Sequence, residues 1–209
     1  MLPSVIEELA EKLRVFPGIG KKSSQKLSID VLQLTQNQFD ELINSLMNAR
    51  QKVRFCSNCG FFAQDELCEI CKNKSRDQRQ ICLVEKPTDV LIIEKSHNYF
   101  GTYHVLKKLI SPLDNIFPPD TTIDDLFHRR IKNLLDQSND NVELILFFRN
   151  GFAAEATTAY INQKIKELNL QDKIYLTRLA QGLPLYYNLD SLDQATIAKA
   201  IEDRRKVFI

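Results

Sequence analysis

The sequence predicts an α/β protein in which a small helical segment and a cysteine-rich segment precede a parallel sheet. Three observations predict this order. Apolar residues recur at helical spacing through residues 1–55, two Cys-x-x-Cys pairs follow, and short apolar runs then alternate with helical patterns. Strands that alternate with helices are typical of a parallel sheet with helices on both faces.

Bulk composition limits the class of protein without indicating its function. The 209 residues suffice for one or two compact domains, and the net charge of +1 does not by itself indicate a nucleic-acid partner. No run approaches the roughly 20 apolar residues of a membrane span, and Glu7, Glu8 and Glu11 are unlike a signal peptide. Cys82 is predicted to be a small buried apolar residue, and a reducing cytoplasm is expected.

A first helix is predicted to end near Arg14, and Ser4–Glu7 has the form of a capping box at its start. The Pro-Gly-Ile-Gly sequence at residues 17–20 then predicts a tight hairpin whose glycines can adopt positive φ. A second helix beginning at about Lys21–Ser23 would direct the free N–H groups of its first turn outward from this hairpin.

The hairpin and the start of the second helix resemble the helix-hairpin-helix motif, which holds a DNA phosphate through backbone amides. Five lysines and arginines lie within residues 12–26, with no acid among them. The candidate DNA-binding residues are Gly18, Gly20, Lys21, Lys22 and Lys26. Such binding is independent of base sequence and strongly salt-dependent. The alternative is an ordinary helical turn with a solvated basic face.

A third helix is predicted after Thr35–Gln38, which looks like another capping box. Its apolar stripe consists of Phe39, Leu42, Ile43, Leu46 and Met47. This stripe is predicted to face either the core or a second protomer. Because 55 residues make a marginal domain alone, self-association through this segment is expected.

Two closely spaced cysteine pairs, Cys56 with Cys59 and Cys68 with Cys71, predict one structural zinc ion. Each Cys-x-x-Cys turn presents two sulfurs to one point, and Zn²⁺ accepts four such ligands in a tetrahedron. The alternatives are buried free thiols or two disulfides. A catalytic zinc would keep an open position and usually recruit a histidine or a carboxylate.

The rest of the chain alternates between predicted strands and helices. The strands are predicted at 81–84, 142–148 and 174–179, and the helices from Pro87 and at 122–135, 155–168 and 191–205. The three histidines are scattered and are predicted to be surface or packing residues: His97, His104 and His128.

One acidic residue, Glu85, stands at the carboxyl end of the first of these strands, where open α/β sheets place their sites. This position suggests an acidic, Mg²⁺-linked site, and the alternative is a solvated acid at a strand end. The segment after strand 142–148 supplies only Glu155, with Arg149 near it in sequence. Two-metal chemistry needs several converging carboxylates, so these residues do not look like a working metal pair.

The order of these features resembles the RecR family of recombination proteins over essentially the whole chain. Beyond the hairpin and the cysteines, the resemblance is carried by Val84-Glu85-x-Pro87 and by five short segments: Gly101–Leu106, Ser111–Asp114, Glu155–Thr157, Thr177–Ala180 and Gly182–Pro184. The implied fold is a helix-hairpin-helix segment, a C4 zinc finger, and a Toprim-like parallel α/β sheet with a C-terminal strand and helix extension.

The resemblance also implies a separate role for each part of the chain. Residues 1–55 would bind DNA and support oligomerisation, 56–71 would form the zinc finger, 79–176 the Toprim domain, and 177–209 a C-terminal segment with oligomer contacts. The implied protein is not an enzyme. It is a homo-oligomer, a dimer or tetramer, that clamps DNA in the bacterial cytoplasm and nucleoid and acts with RecO-like and RecF-like partners in RecA loading. Glu85 and Glu155 would contact a partner.

Several positions depart from the family pattern. Ala153 and Ala154 stand where an acidic residue and a glycine are common, and Gln181 and residues 186–188 replace an arginine and a Gly-Gly-Asp run. These departures bear on partner contact. The alternative function is a Mg²⁺-dependent Toprim enzyme, a nuclease or primase-like protein, using Glu85 and Glu155. A third reading is a zinc-stabilised adaptor whose hairpin does not meet DNA.

Overall fold

The computed structural model describes residues 2–149 and 151–179, together with residues 194, 196 and 198, which are helical. The chain forms two compact units, the first comprising residues 1–53 and the second beginning at Arg54. The predicted fold class is confirmed: a helical segment and a four-cysteine segment precede a parallel sheet with helices. No helix among the described residues is long and apolar enough to cross a membrane.

The first unit contains three helices, α1 (Ser4–Leu13), α2 (Lys21–Leu32) and α3 (Gln36–Lys52). Helices α1 and α2 pack together through small side chains, because Ala10, Ser24 and Ser28 are the buried residues of this pair. Each serine donates its hydroxyl hydrogen bond within its own helix, so neither leaves a buried polar group unsatisfied.

The two predicted capping boxes have different outcomes. The first is wrong, because α1 has Pro3 as its N-cap, with no side-chain cap, and Ser4 is already helical. The second is confirmed: the Thr35 hydroxyl accepts from the Gln38 amide, and the Thr35 amide donates to the Gln38 side chain. Proline at the residue before Ser4 occupies the cap position, so the Ser4 hydroxyl is not placed to accept the N–H of the first turn.

Helix α3 buries none of its residues, although its sequence is amphipathic. Its apolar stripe is exposed, from 36% of Phe39 to 56% of Leu46. The prediction that this stripe lies in the core of the chain is therefore wrong. An exposed apolar face of this size on one helix is typical of an interaction surface.

The second unit contains a two-stranded antiparallel sheet, β1 (Arg54–Phe55) with β2 (Phe62–Ala63), and a short helix α4 (Glu69–Lys72). A four-stranded parallel sheet follows in the order β4-β3-β5-β6. Its strands are β3 (Asp77–Val84), β4 (Gly101–Val105), β5 (Val142–Phe147) and β6 (Ile174–Arg178). The helices around it are α5 (Pro87–Glu94), α6 (Ile123–Asp125), α7 (Lys132–Gln137) and α8 (Phe152–Glu167).

Each face of the parallel sheet has its own apolar core, as predicted for a sheet covered on both sides. Ile81 and Leu83 of β3 point to one face, where they pack with Ile161 of α8. Cys82 points to the opposite face, where it packs with Val90 of α5. Burial raises the pKa of the Cys82 thiol to about 12, so this cysteine is a neutral core residue, as the sequence predicted.

Two features of the sheet domain were not predicted. Strand β4 was not predicted because its sequence, Gly-Thr-Tyr-His-Val, does not alternate between apolar and polar residues. All five of its positions are buried. The helix predicted over residues 122–135 is interrupted by a π-helical stretch, Leu126–Ile131, between α6 and α7. This stretch buries Arg130 together with three apolar residues, and a charged residue on a buried face cannot be predicted from helical periodicity.

Predictions for the C-terminal segment lie largely outside the described residues. These include the helix at 191–205, of which only residues 194, 196 and 198 are described as helical, and the departures at Gln181 and residues 186–188.

Candidate metal centre and nucleic-acid interface

The four paired cysteines converge on one point. Their Sγ atoms all lie within 4.8 Å of one another, and the Sγ atoms of Cys59 and Cys68 are 3.6 Å apart. Four sulfurs around a tetrahedral Zn²⁺ with Zn–S bonds of about 2.3 Å are separated by about 3.8 Å, so this arrangement fits one zinc ion. Three of the cysteines are buried, and none of the four forms a disulfide.

Hydrogen bonds already direct donors at the sulfurs. The amide of Phe61 donates to Cys59 Sγ, the amide of Cys71 to Cys68 Sγ, and the Asn58 side chain to Cys71 Sγ, each at 3.5 Å. These donors stabilise thiolates, the form in which cysteine binds zinc. Cysteine binds zinc as the thiolate, and four neighbouring thiolates repel one another unless a cation lies between them. The four sulfurs therefore fit a structural metal ion with all four positions occupied by protein.

Crowding of the thiols shifts their pKa values in opposite directions. Hydrogen bonding from Cys59, with further bonds from Cys68 and Cys71, lowers the pKa of Cys56. The bond that Cys59 makes to Cys56 raises the pKa of Cys59, with Cys68 and Cys71 adding to the effect. Four thiols in mutual contact cannot all ionise without an opposite charge, so a cation would be needed to hold all four sulfurs as thiolates.

The zinc finger is attached directly to the edge of the parallel sheet. The amide of Val105 in β4 donates to the Cys59 carbonyl at 2.8 Å. Gly60 has a φ of +77°, and a Cβ at this position would lie 3.2 Å from the Val105 side chain. The positive φ favours glycine at this turn, and a larger residue would also have to displace the Val105 side chain slightly. Phe61 and Ile70 of the finger pack against the apolar cluster on the α5 face of the sheet.

The predicted hairpin is present between α1 and α2. Gly18 has a φ of +84°, and the amide of Ile19 closes the turn by donating to the Phe16 carbonyl at 3.1 Å. Gly20 is the N-cap of α2, and open space surrounds the position of a Cβ at either glycine. Among the described residues, no acceptor pairs with the backbone N–H groups of Lys21, Lys22 or Ser23. The first turn of α2 therefore presents free donors at the positive end of a helix dipole.

Charge around the hairpin is carried by exposed lysines. Lys21, Lys22 and Lys26 are exposed and form no ion pair with any described residue. Arg14 differs, because its guanidinium pairs with Glu11 at 2.7 Å. The basic residues of this segment that form no ion pair with a described residue are Lys12 and the three lysines of α2, and the free N–H groups lie at the start of α2.

The acids at the carboxyl edge of the sheet are each close to a cation. Glu85 follows β3, and its carboxylate lies 3.9 Å from Lys86 Nζ. Glu155 lies in the first turn of α8, after β5, and accepts a hydrogen bond from Arg178 at 2.8 Å. Its partner is thus Arg178 at the end of β6, and not Arg149, which is near it in sequence. Among the described residues, only the four cysteines gather three or more potential metal ligands.

Sequence reasoning missed three polar residues that bear on these sites: Asn58, Arg130 and Arg178. Arg178 stands at a strand end beside β5, a position that the strand order reveals and the sequence does not. Asn58 lies inside a Cys-x-x-Cys pair, which is a usable signal for a residue that contacts the sulfurs. Arg130 gives no sequence signal, since its burial depends on the π-helical stretch.

Family models match three consecutive parts of the chain. A model described as RecR, helix-hairpin-helix matches residues 6–50, and one described as the four-cysteine zinc finger domain of RecR matches residues 53–73. A Toprim domain model matches residues 79–180. The match to this zinc finger model and the geometry of the sulfurs together confirm the prediction of one structural zinc ion.

Relatives of the chain are similar to it over their full length. The protein named Recombination protein RecR from Streptomyces avermitilis is 40% identical over 98% of both chains. Its counterpart from Acidothermus cellulolyticus is 38% identical over 100% of both chains. Another from Clostridium perfringens is 37% identical over 97% of this chain and 96% of its own.

Proposed function

The chain belongs to the RecR family of recombination proteins, and we propose that it is a non-enzymatic, zinc-containing oligomeric clamp on DNA. In this proposal it acts in the bacterial cytoplasm, at the nucleoid, with RecO-like and RecF-like partners, and it helps to load RecA during recombinational repair. Its own contacts to DNA are independent of base sequence.

The observation that carries the DNA-binding part of this proposal is the open hairpin before α2. Free N–H groups of the first turn coincide there with three exposed lysines that have no ionic partner among the described residues. A helix N-terminus with backbone donors is suited to a phosphate oxygen, and lysines add attraction without reading bases. We place the phosphate contact at Gly18, Gly20, Lys21, Lys22 and Lys26.

Self-association is supported by the apolar stripe of α3. Five large apolar side chains on one face are exposed in a single chain: Phe39, Leu42, Ile43, Leu46 and Met47. Burial of this face against a second copy would remove apolar surface from water, which is the dominant favourable term in association. We therefore propose that two chains pair through α3. The ring is either this dimer or a tetramer of two such dimers.

Partner contact is proposed for the carboxyl edge of the sheet. Glu85 and Glu155 are accessible to a partner, since the side chains are 36% and 62% exposed. The Ala153 and Ala154 substitutions leave Glu155 as the acid of this turn. A basic surface on a RecO-like partner would meet a single carboxylate in this turn, that of Glu155, which already pairs with Arg178. The turn therefore offers fewer acidic groups to a partner than the family pattern does.

A topological experiment tests the clamp. Protein is loaded on a nicked circular plasmid, washed at raised salt, and half of the sample is linearised with a restriction enzyme. We expect retention on the circle and loss from the linear molecule, because a closed ring leaves DNA only over an end. A circle that carries bound streptavidin on both sides of the cut site is the matched control, and it should retain protein after cutting. Equal loss from circular and linear DNA would contradict the clamp.

The absence of catalysis is a separate part of the proposal and has its own support. Glu155 is held by Arg178, and a guanidinium at 2.8 Å competes with a divalent cation for the same carboxylate. We expect no cleavage and no primer synthesis on duplex, gapped or single-stranded DNA with Mg²⁺. Activity that disappears in Glu85→Gln, while DNA binding is retained, would instead establish the Toprim enzyme alternative.

A further inference from the structure

Arg130 is a buried cation without an acidic partner among the described residues. Only 5% of the residue is exposed, yet none of the ion pairs formed by the described residues includes it. Its guanidinium donates to the Tyr103 carbonyl, and also to the Thr102 hydroxyl at 2.5 Å. A buried charge is costly unless an opposite charge lies near it, so two neutral acceptors leave Arg130 unexplained.

The free edge of β4 places this guanidinium beside the zinc finger. Among the described strands, β4 lies at one edge of the sheet, and Leu106 donates its amide to the Val84 carbonyl of β3. Because backbone groups alternate along a strand, the groups of Tyr103 and Val105 point away from β3. The Arg130 guanidinium donates to the Tyr103 carbonyl, and two residues further along the strand the Val105 amide donates to the Cys59 carbonyl. The guanidinium and a zinc ligand are therefore neighbours along one strand edge.

The metal centre carries the opposite charge. Four thiolates and one Zn²⁺ would have a net charge of −2, and three of the four cysteines are buried. Burial lowers the pKa of Arg130, and electrostatic interaction with the nearby Cys71 and Cys59 acts in the opposite direction. The neighbouring His104 offers no second cation, because burial, with Arg130 beside it, lowers its pKa to about 3.

We propose that Arg130 is the buried counter-ion of the zinc tetrathiolate, so that the sheet domain sets the metal affinity of the finger. Arg130 lies in the π-helical stretch Leu126–Ile131, and its guanidinium is positioned at the edge of β4. Zinc and Arg130 then stabilise each other: the metal centre compensates the buried guanidinium, and the guanidinium favours the anionic, fully coordinated centre.

Zinc affinity of purified full-length variants tests this role through competition with a coloured chelator. Arg130→Met removes the charge and keeps an unbranched side chain, and we expect it to weaken zinc binding about tenfold or more. Arg130→Lys keeps the charge, and its affinity should remain within about threefold of the wild type. In the Co²⁺-substituted protein, the thiolate-to-metal absorption bands should move to lower energy in R130M and stay in place in R130K.

Arg79 provides the matched structural control. Its partly buried guanidinium also donates to backbone carbonyls, those of Leu134, Ser138 and Asp140, but it lies on β3 and away from the cysteines. Arg79→Met should destabilise the sheet domain and leave zinc affinity within about twofold of the wild type, because its contacts hold the end of α7.

The outcomes separate charge from packing. Zinc binding by R130M that matches R79M would overturn the proposal, as would an R130K protein that loses as much affinity as R130M. If R130M does not fold, Arg130→Gln replaces it, since glutamine keeps donors without the charge. Weak zinc binding by Arg130→Gln together with near-normal zinc binding by R130K would support the counter-ion role of Arg130. Equal zinc affinities of these two variants would overturn it.

Discussion

Removal of zinc, by chelation or by Cys56→Ser, is expected to unfold the finger and to release the edge of β4. The finger has little core of its own: half of its cluster is the four cysteines themselves, and the other half is Ala63, Phe61, Leu67 and Ile70. Binding of a structural zinc contributes about 10 kcal/mol or more in small finger domains, so its loss exceeds the stability that these side chains provide.

The loss of structure should extend beyond the finger. The Val105 amide donates to the Cys59 carbonyl, and Phe61 and Ile70 pack against the apolar cluster that contains Val105. Hydrogen exchange is the appropriate measurement. We expect amide protection to be lost across residues 54–73 and at Val105 in β4, while the amides of β5 remain protected. Oligomer assembly should weaken together with folding, and no catalytic step should be involved.

Cys82→Ser is the matched control for this experiment. It also replaces a buried thiol by a hydroxyl, but Cys82 lies in the core on the α5 face and outside the metal cluster. We expect it to lower the free energy of unfolding by about 1–3 kcal/mol while zinc content stays at one per chain. A Cys56→Ser protein that folds, assembles and keeps native protection without zinc would show that the metal is not a structural support.

Charge reversal at Lys22 and Lys26 is expected to remove most of the DNA affinity of the hairpin. These two exposed lysines are four residues apart on α2 and so share one face of the helix. If each neutralises one phosphate, the double variant should bind duplex DNA about tenfold more weakly or worse. The slope of log K against log salt should also become shallower by about 2.

Binding isotherms across a salt series measure both quantities. Lys132→Glu with Lys166→Glu is the matched control, because it makes the same change in net charge at exposed lysines of the sheet domain. The control should lower affinity only slightly and leave the slope nearly unchanged. Equal affinities and slopes in the wild type and the Lys22/Lys26 variant would remove DNA from this hairpin and favour the adaptor function.

Local sequence was sufficient for the features whose geometry is set by neighbours along the chain. The Cys-x-x-Cys pairs predicted the zinc site because each turn brings its own two sulfurs together, whatever the rest of the fold does. The Gly18-Ile19-Gly20 hairpin and the Thr35–Gln38 cap were predicted for the same reason: a positive φ and a capping hydrogen bond join residues at most three apart.

Tertiary structure alone decided which charges meet. Glu155 pairs with Arg178 because β6 lies beside β5, whereas sequence proximity pointed to Arg149. Arg130 contacts Tyr103 and Thr102 of β4 only because a π-helical stretch more than 20 residues further along the chain buries its side chain. Pairs separated by 23 residues or more along the chain depend on strand order and packing, which a pattern of neighbouring residues does not contain.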